Sequence, residues 1–296
     1  MRHSAATSVA SPKPQPLAAG EFGFETGDFE FIATALYEDA GIHLPSTKAN
    51  LVYSRLAKRL RALGLESFSE YCALIGSESG SAERAQMISA LTTNVTRFFR
   101  EPHHFEHMRQ EIVSPLVKDI RGGKRLRIWS AGCSSGQEPY SIALTVLSSL
   151  PDARSYDVRV LATDINPQVL ETARRGVYSA EEIAGIPPEL RRSWLESAGA
   201  GQSRLDEGPR GLVTFRQLNL ISAWPMRGPF DAVFCRNVVI YFDEKTQMRL
   251  LNRISSLIRP GGYLYLGHSE RLIGPAEVLF KLDGTTVYRK RGGALT

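Results

Sequence analysis

The chain has 296 residues, 43% hydrophobic and 23% charged, with 25 Gly, 16 Pro and three Cys, which excludes a disordered or collagenous protein. No stretch reaches the roughly 18 uncharged apolar residues of a membrane helix, and the first twenty residues lack the apolar centre of a secretory signal, so a cytoplasmic protein is expected. A net charge of +5 is too small for this length to argue for nucleic acid; Cys72, Cys133 and Cys235, odd in number and without a CxxC pair, support neither a disulfide framework nor a metal site.

Residues 1–20 carry Pro12, Pro14 and Pro16 among small polar residues and read as a disordered tail. From 21 to 105 the pattern is helical, with apolar residues three and four apart: Phe31, Ala35 and Leu36; Val52, Leu56, Leu60 and Leu63; Phe68, Tyr71, Leu74 and Ile75. Pro45, Gly64 and Gly76 punctuate it, giving a small all-α domain of about four helices. Charge is uneven here: Glu21–Asp39 holds six acidic residues and no Lys or Arg, whereas Lys48–Arg61 holds five basic residues and no acidic one. On the predicted helix from Asn50 to Leu63, Arg55, Lys58 and Arg59 lie one turn apart beside the apolar stripe, either as a positive docking patch or as an ordinary solvated face.

Residues 106–125 are expected to be a linker, ending in Arg121-Gly-Gly-Lys124. Beyond it strands alternate with helices: strand 126–131, helix 139–150, strand 158–163, a helix from Asn166-Pro167, and strands 230–235 and 263–267. This is the mark of a doubly wound, mostly parallel α/β sheet. The run 279–289, broken at Asp283-Gly284, reads as an antiparallel hairpin ending the sheet. That arrangement is expected of many S-adenosylmethionine-dependent methyltransferases.

Ligands of doubly wound sheets sit beyond the carboxyl ends of the strands. The turn Ala131-Gly-Cys-Ser-Ser-Gly-Gln-Glu138 and Asp164 occupy such places, with Gly132 and Gly136 letting backbone approach a ligand and Asp164 accepting from ribose hydroxyls; the turn and a helix cap alone would also explain them. Glu138, at the start of a helix, would repel a pyrophosphate and attract a cationic aminoacyl group. In Thr92–Glu101 the polar groups of Asn94, Thr96, Arg97 and Arg100 surround Phe98 and Phe99. Binding is expected of Arg100, and a solvated place on an amphipathic helix of Arg97. After strand 230–235, Arg236 and Asn237 come at the ligand edge of the sheet, with Tyr241 following one turn later.

The strings TTNVTRFFRE, WSAGCSSGQEPYSIA, VLATDIN, FDAVFCRNVVIYF and GGYLYLGHSE, in this order, closely resemble the CheR family, methyltransferases that esterify glutamate side chains of bacterial chemoreceptors. The resemblance covers about 28–290. It implies a C-terminal S-adenosylmethionine-binding domain, 126–296, with a small antiparallel β-subdomain inserted around 194–216. It further implies cofactor contacts at Asn94, Thr96, Arg100, Glu138, Asp164, Asn219, Leu220, Arg236 and Asn237, and a methyl-transfer centre beside Arg100 and Tyr241. The product would be S-adenosylhomocysteine, and the partner the acidic cytoplasmic helices of methyl-accepting chemotaxis receptors, held by Arg55, Lys58 and Arg59. A monomer without metal, nucleic acid or membrane insertion is expected. The subdomain looks a few residues short for gripping a receptor tail peptide, so tethering is not expected. A module that senses S-adenosylmethionine or scaffolds a signalling complex without turnover is the alternative from another class.

Overall fold

The computed structural model describes residue 17 and residues 20–292; the expected disordered tail lies outside them except for Leu17 and Gly20. Two compact units are present, one holding the chain to Asp39 together with Leu44–Leu91, the other Ala40–His43 and the chain from Thr92.

The first unit contains α1 (Thr26–Ala40), α2 (Ala49–Leu63), α3 (Phe68–Gly76) and α4 (Ser81–Leu91). Most of the three-and-four spacing faces inward: Leu36, Val52, Leu56, Leu60, Phe68, Tyr71 and Ile75 are fully buried, with Ile32 and Met87 beside them, whereas Phe31 and Leu63 are exposed, Ile32 taking the inward place next to Phe31. Phe24, just before α1, stacks obliquely on Phe68 at 4.4 Å between centroids. Gly64 ends α2 at φ +68, the left-handed conformation that glycine adopts without steric cost.

The polar side of α2 is engaged within the unit. Arg55 Nη1 donates to the carbonyls of Leu91 at 2.9 Å and Ala90 at 3.3 Å, supplying donors and positive charge where α4 leaves acceptors unsatisfied. Arg59 makes a two-pronged ion pair with the buried Glu83 at 2.9 and 2.6 Å, and the Tyr71 hydroxyl donates to the same carboxylate at 3.0 Å. Burial together with that carboxylate pushes the Tyr71 phenol well above its ordinary range. Arg61 pairs with Glu21 at the surface. Of the three arginine and lysine residues expected to form the docking patch, Lys58 is the exposed one.

The second unit begins with α5 (Pro102–Met108), a π turn (Arg109–Val113) and α6 (Ser114–Arg121). The stretch expected as a linker is thus largely helical, and Met108, Ile112, Val113 and Ile120 are buried in the core. Then follow β1 (Leu126–Ala131), α7 (Gln137–Ser149), β2 (Val158–Asp164), α8 (Pro167–Arg175), β3 (Val177–Ser179), α9 (Pro188–Trp194), β4 (Leu195–Gly199), β5 (Gln202–Leu205), α10 (Glu207–Leu212), β6 (Val213–Gln217), β7 (Phe230–Cys235), α11 (Glu244–Leu257), β8 (Ile258–Leu266), β9 (Phe280–Gly284) and β10 (Val287–Lys290).

Seven strands form one sheet in the order β6-β2-β1-β7-β8-β10-β9. The five from β6 to β8 are parallel and β10 runs antiparallel to both neighbours, so the doubly wound sheet with a terminal hairpin is present as expected. Both faces are covered, which is why β7 is buried at every position. Along β1 and β7, Ile128, Ala232 and Phe234 join the core beneath α7, while Trp129, Val233 and Cys235 join that beneath α11, the period-two alternation of a strand. The chain leaves β1 toward β2 on one side and is met by β7 on the other, so the switch point of the sheet lies at the carboxyl end of β1.

A separate antiparallel sheet, β3-β5-β4, forms the subdomain. Its limits differ from the expected 194–216: it takes in β3, and β6 belongs to the main sheet beside β2. The sequence gives little warning of β6, because Arg216 and Gln217 are exposed on an edge strand and break the apolar run.

Arg59→Ala leaves a buried carboxylate without its cation. It is expected to lower the stability of the chain by about 2 kcal/mol in urea denaturation, less than a fully buried pair because Arg59 keeps part of its surface in water. An unchanged midpoint would show that the pair does not hold α2 to α4.

Candidate active site at the carboxyl edge of the sheet

The turn after β1 is set by hydrogen bonds back to β2. The N–H groups of Gly132 and Cys133 both donate to the Thr163 carbonyl, at 2.8 and 2.9 Å. Gly132 (φ +78) and Gly136 (φ +99) are left-handed, and a Cβ on either would meet protein: Val238 Cγ2 at 2.4 Å for Gly132, Ala173 Cβ and the Tyr178 hydroxyl at 2.8 Å for Gly136. These glycines close the turn tightly onto its own domain, where a side chain at either position would collide with protein.

Asp164, at the end of β2, pins that turn. Its Oδ2 accepts from the Ser134 N–H at 2.8 Å and its Oδ1 from the Asn166 N–H at 2.9 Å. Burial raises the carboxyl above its ordinary range, against the pull of these backbone amides. The helix cap is Asn166, whose side chain accepts from Gln168 N–H at 2.9 Å, so Asp164 keeps spare acceptor lone pairs at the sheet edge. Ser134 (φ +50) also donates its hydroxyl to the Asn94 carbonyl at 2.8 Å, bringing the Asn94–Thr96 segment to the same turn.

Glu138 stands in the first turn of α7 and is held from two sides: Ser130 Oγ donates to Oε1 at 2.7 Å and Arg236 Nη1 to Oε2 at 3.1 Å. Burial raises its carboxyl above the usual range, opposed chiefly by the Arg236 charge. Arg236, with 2% of its side chain exposed, also reaches Glu101 Oε2 at 3.3 Å, donates to the Arg100 carbonyl, and lies over the Phe105 ring at 5.5 Å. One guanidinium therefore joins three segments: 100–105, the α7 start and the end of β7.

The segment around Arg100 is a turn and not the amphipathic helix expected as its plain alternative. Phe98 is buried edge-to-face against Tyr178 at 5.0 Å, and Phe99 packs on Phe105 at 5.2 Å. Phe99 (φ 51) and Glu101 (φ 58) flank Arg100 in the left-handed region, conformations that cost non-glycine residues about 1–2 kcal/mol each. Arg97 is exposed; Arg100 is half-buried, its Nη1 donating to the Val95 carbonyl at 3.3 Å.

After β7, Asn237 is left-handed (φ 58) and the chain turns into a short 3-10 segment, Val239–Tyr241. The controlling residue is Glu270, 3% exposed, which the sequence reading did not single out. Its Oε2 accepts from the N–H groups of Asn237 (2.8 Å) and Gly267 (2.6 Å), and its Oε1 from those of Val238 (2.8 Å), Val239 (2.9 Å) and Ile240 (3.4 Å). Gly267 is needed here, since a Cβ would lie 2.5 Å from Asn237 Nδ2. Half-buried Tyr241 ends this turn, its carbonyl accepting from the His43 N–H at 2.9 Å. Glu101 was missed as well; the signals for both were acidic residues closing quoted strings, TRFFRE and LGHSE.

Asn219 and Leu220 follow β6 at the same edge, where Leu218 N–H donates to the Asp164 carbonyl at 2.9 Å. Asn219 Oδ1 accepts from Ile221 N–H at 3.1 Å, and Leu220 is buried in the core beneath α11. Hydrogen bonds thus join Asn94 to Asp164 through Ser134, and Arg100 to Glu138 through Arg236; Thr96, Asn219, Leu220, Asn237 and Tyr241 lie close in sequence to residues of these two groups or to their partners. Arg55, Lys58 and Arg59 belong to the other unit.

Residues 94–288 match the family described as CheR methyltransferase, SAM binding domain, and residues 27–92 that described as CheR methyltransferase, all-alpha domain. Curated relatives cover most of the chain. A probable chemotaxis protein methyltransferase of Rhizobium etli is 51% identical over 86% of this chain and 96% of its own length. Chemotaxis protein methyltransferase 2 of Pseudomonas aeruginosa is 45% identical over 93% and 97%, and the chemotaxis protein methyltransferase of Escherichia coli 42% identical over 88% and 89%. No described helix is long and apolar enough to cross a membrane.

Glu270→Gln keeps the shape but sets an NH2 group against amide donors and removes the charge that strengthens each bond. A loss of about 2–3 kcal/mol is expected in denaturant unfolding. A variant as stable as the parent would mean that the turn from Asn237 to Tyr241 holds itself.

Proposed function

This chain belongs to the CheR methyltransferase family, and we propose that it transfers the methyl group of S-adenosylmethionine to glutamate side chains of chemotaxis receptors. The observation that carries this reading is the buried Arg236, which draws Arg100, Glu101 and Glu138 together at the switch point of a sheet whose family binds S-adenosylmethionine. The residues fit that cofactor. Arg236 Nε is buried without a hydrogen-bond partner among the described residues, a donor suited to the cofactor's carboxylate. Glu101 and Glu138 outnumber the guanidinium between them, which suits a cationic sulfonium and ammonium nearby. On this reading Asn94, Thr96, Arg100, Glu138, Asp164, Asn219, Leu220, Arg236 and Asn237 hold it.

When bound, S-adenosylmethionine supplies an electrophilic methyl carbon and leaves as S-adenosylhomocysteine once its bond to sulfur breaks. A glutamate carboxylate, with an ordinary pKa of about 4.3, is ionised at neutral pH and needs no general base. Cation and anion become a neutral ester and a neutral thioether, so a site that excludes water favours the reaction; the depth of Glu138, Asp164 and Arg236 provides such surroundings. Arg100 orients the substrate carboxylate without neutralising it, and the Tyr241 hydroxyl aligns the reacting groups.

Receptor recognition falls to Arg55, Lys58 and Arg59 on α2, facing the acidic helices that bear the substrate glutamates. Arg59 is paired with Glu83 and Arg55 is engaged on the Leu91 and Ala90 carbonyls, so the exposed Lys58 carries the largest share of the attraction.

The test is incubation with methyl-labelled S-adenosylmethionine and a receptor cytoplasmic fragment. Label that leaves as methanol in mild alkali marks an ester, and alkali-stable label would overturn the proposal. Arg100→Ala is expected to slow single turnover at saturating cofactor by about 100-fold, and Tyr241→Phe by up to about tenfold; wild-type rates in both would remove these residues from the chemistry. Arg55→Glu combined with Lys58→Glu should weaken receptor methylation most at low salt, since exposed charges are screened as salt rises. Unchanged salt dependence would count against the α2 face.

A further inference from the structure

Glu101, His103 and His104 gather at the start of α5, beside the residues assigned to methyl transfer, and Glu101 is shared with them through Arg236. Candidate ligand atoms of the three all lie within 4.8 Å of one another. A fourth group, the exposed His268, brings Nδ1 to 3.4 Å from Glu101 Oε1. His104 has no exposed surface, and its Nε2 meets the Thr285 carbonyl at 3.1 Å and Thr286 Oγ1 at 3.0 Å. A carbonyl only accepts, so Nε2 carries the ring proton, and in the neutral imidazole Nδ1 is a bare lone pair. That nitrogen lies 3.5 Å from Glu101 Oε2. Both atoms are buried, and neither has a hydrogen-bond partner among the described residues. Two acceptors this close in a dry interior repel, and a cation shared by them reverses the sign.

We propose that Glu101, His103 and His104 form a binding site for a divalent transition-metal ion of the zinc class, with His268 as a further ligand from the surface. The donor set, imidazole nitrogens with one carboxylate and no thiolate, is that of zinc more than of calcium or magnesium, which take oxygen ligands. Arg236 Nη2, 3.3 Å from Glu101 Oε2, opposes the ion. Glu138 on the other arm of the same guanidinium leaves two carboxylates to one cation, so the surroundings remain net negative before the ion enters. The exposed His103 and His268 give the ion a route from solvent. Because Glu101 also holds Arg236, occupancy would loosen one arm of the guanidinium and so act on the adjoining site.

The proposal is independent of which acceptor is methylated. It is tested with the untagged full-length chain and zinc alone, by metal analysis after dialysis and by titration calorimetry. About one equivalent should be retained, with affinity falling at least about tenfold in both His103→Ala and Glu101→Gln, each checked for folding by circular dichroism. No retained zinc, or equal affinity in both variants, would overturn it. So would nitrogen-15 spectra showing both His104 nitrogens protonated at neutral pH with zinc present, since a proton would then fill the gap.

Discussion

Taking a guanidinium out of water costs several kcal/mol unless carboxylates and carbonyls meet it. Arg236, with 2% of its side chain exposed, is met by Glu138 on one nitrogen and by Glu101 and the Arg100 carbonyl on the other. Its partners come from residues more than 90 positions away in the chain, so the charge cannot be satisfied until β1, β7 and the segment before α5 are in register. With both carboxylates in place the charge is met from two sides, which holds the Arg100 carbonyl against the guanidinium and fixes where Arg100 stands.

A second constraint follows the same geometry. Glu101, Ser134 and Asn237 are left-handed without being glycine, and each is tied to a buried carboxylate: Glu101 through its own, Ser134 through Asp164, Asn237 through Glu270. Strained backbone persists only where its surroundings over-determine it. Here one acidic residue per turn accepts amide hydrogens or an arginine, and the three turns meet the carboxyl edge of the sheet. The acidic side chains of this edge therefore act as much on the backbone as on any ligand.

The helical unit handles charge differently. Its run of basic residues, read from the sequence as a patch for a partner, is largely taken up inside the unit: Arg55 on the last carbonyls of α4, Arg59 on Glu83, Arg61 on Glu21. Local sequence counts charges; it does not count the acceptors that folding brings to them. What remains as field at the surface is smaller than the five basic residues of Lys48–Arg61 suggest.

Sequence alone determined the doubly wound sheet, the helical unit before it, the hairpin after it and the family, because periodicity, turn residues and contiguous motifs are local properties of the chain. The strand bounds of β1 and β7 agree with the predicted runs to the residue. Tertiary structure decided what side chains do once remote segments meet. Gly132 and Gly136 proved to be packed against Val238, Ala173 and Tyr178, Asp164 to hold a turn, and Glu101 and Glu270 to govern the positions of better-marked neighbours. Neither acidic residue carries a local signature, since a carboxylate's partners are amides and guanidinium groups that only the folded sheet brings within 3 Å or so.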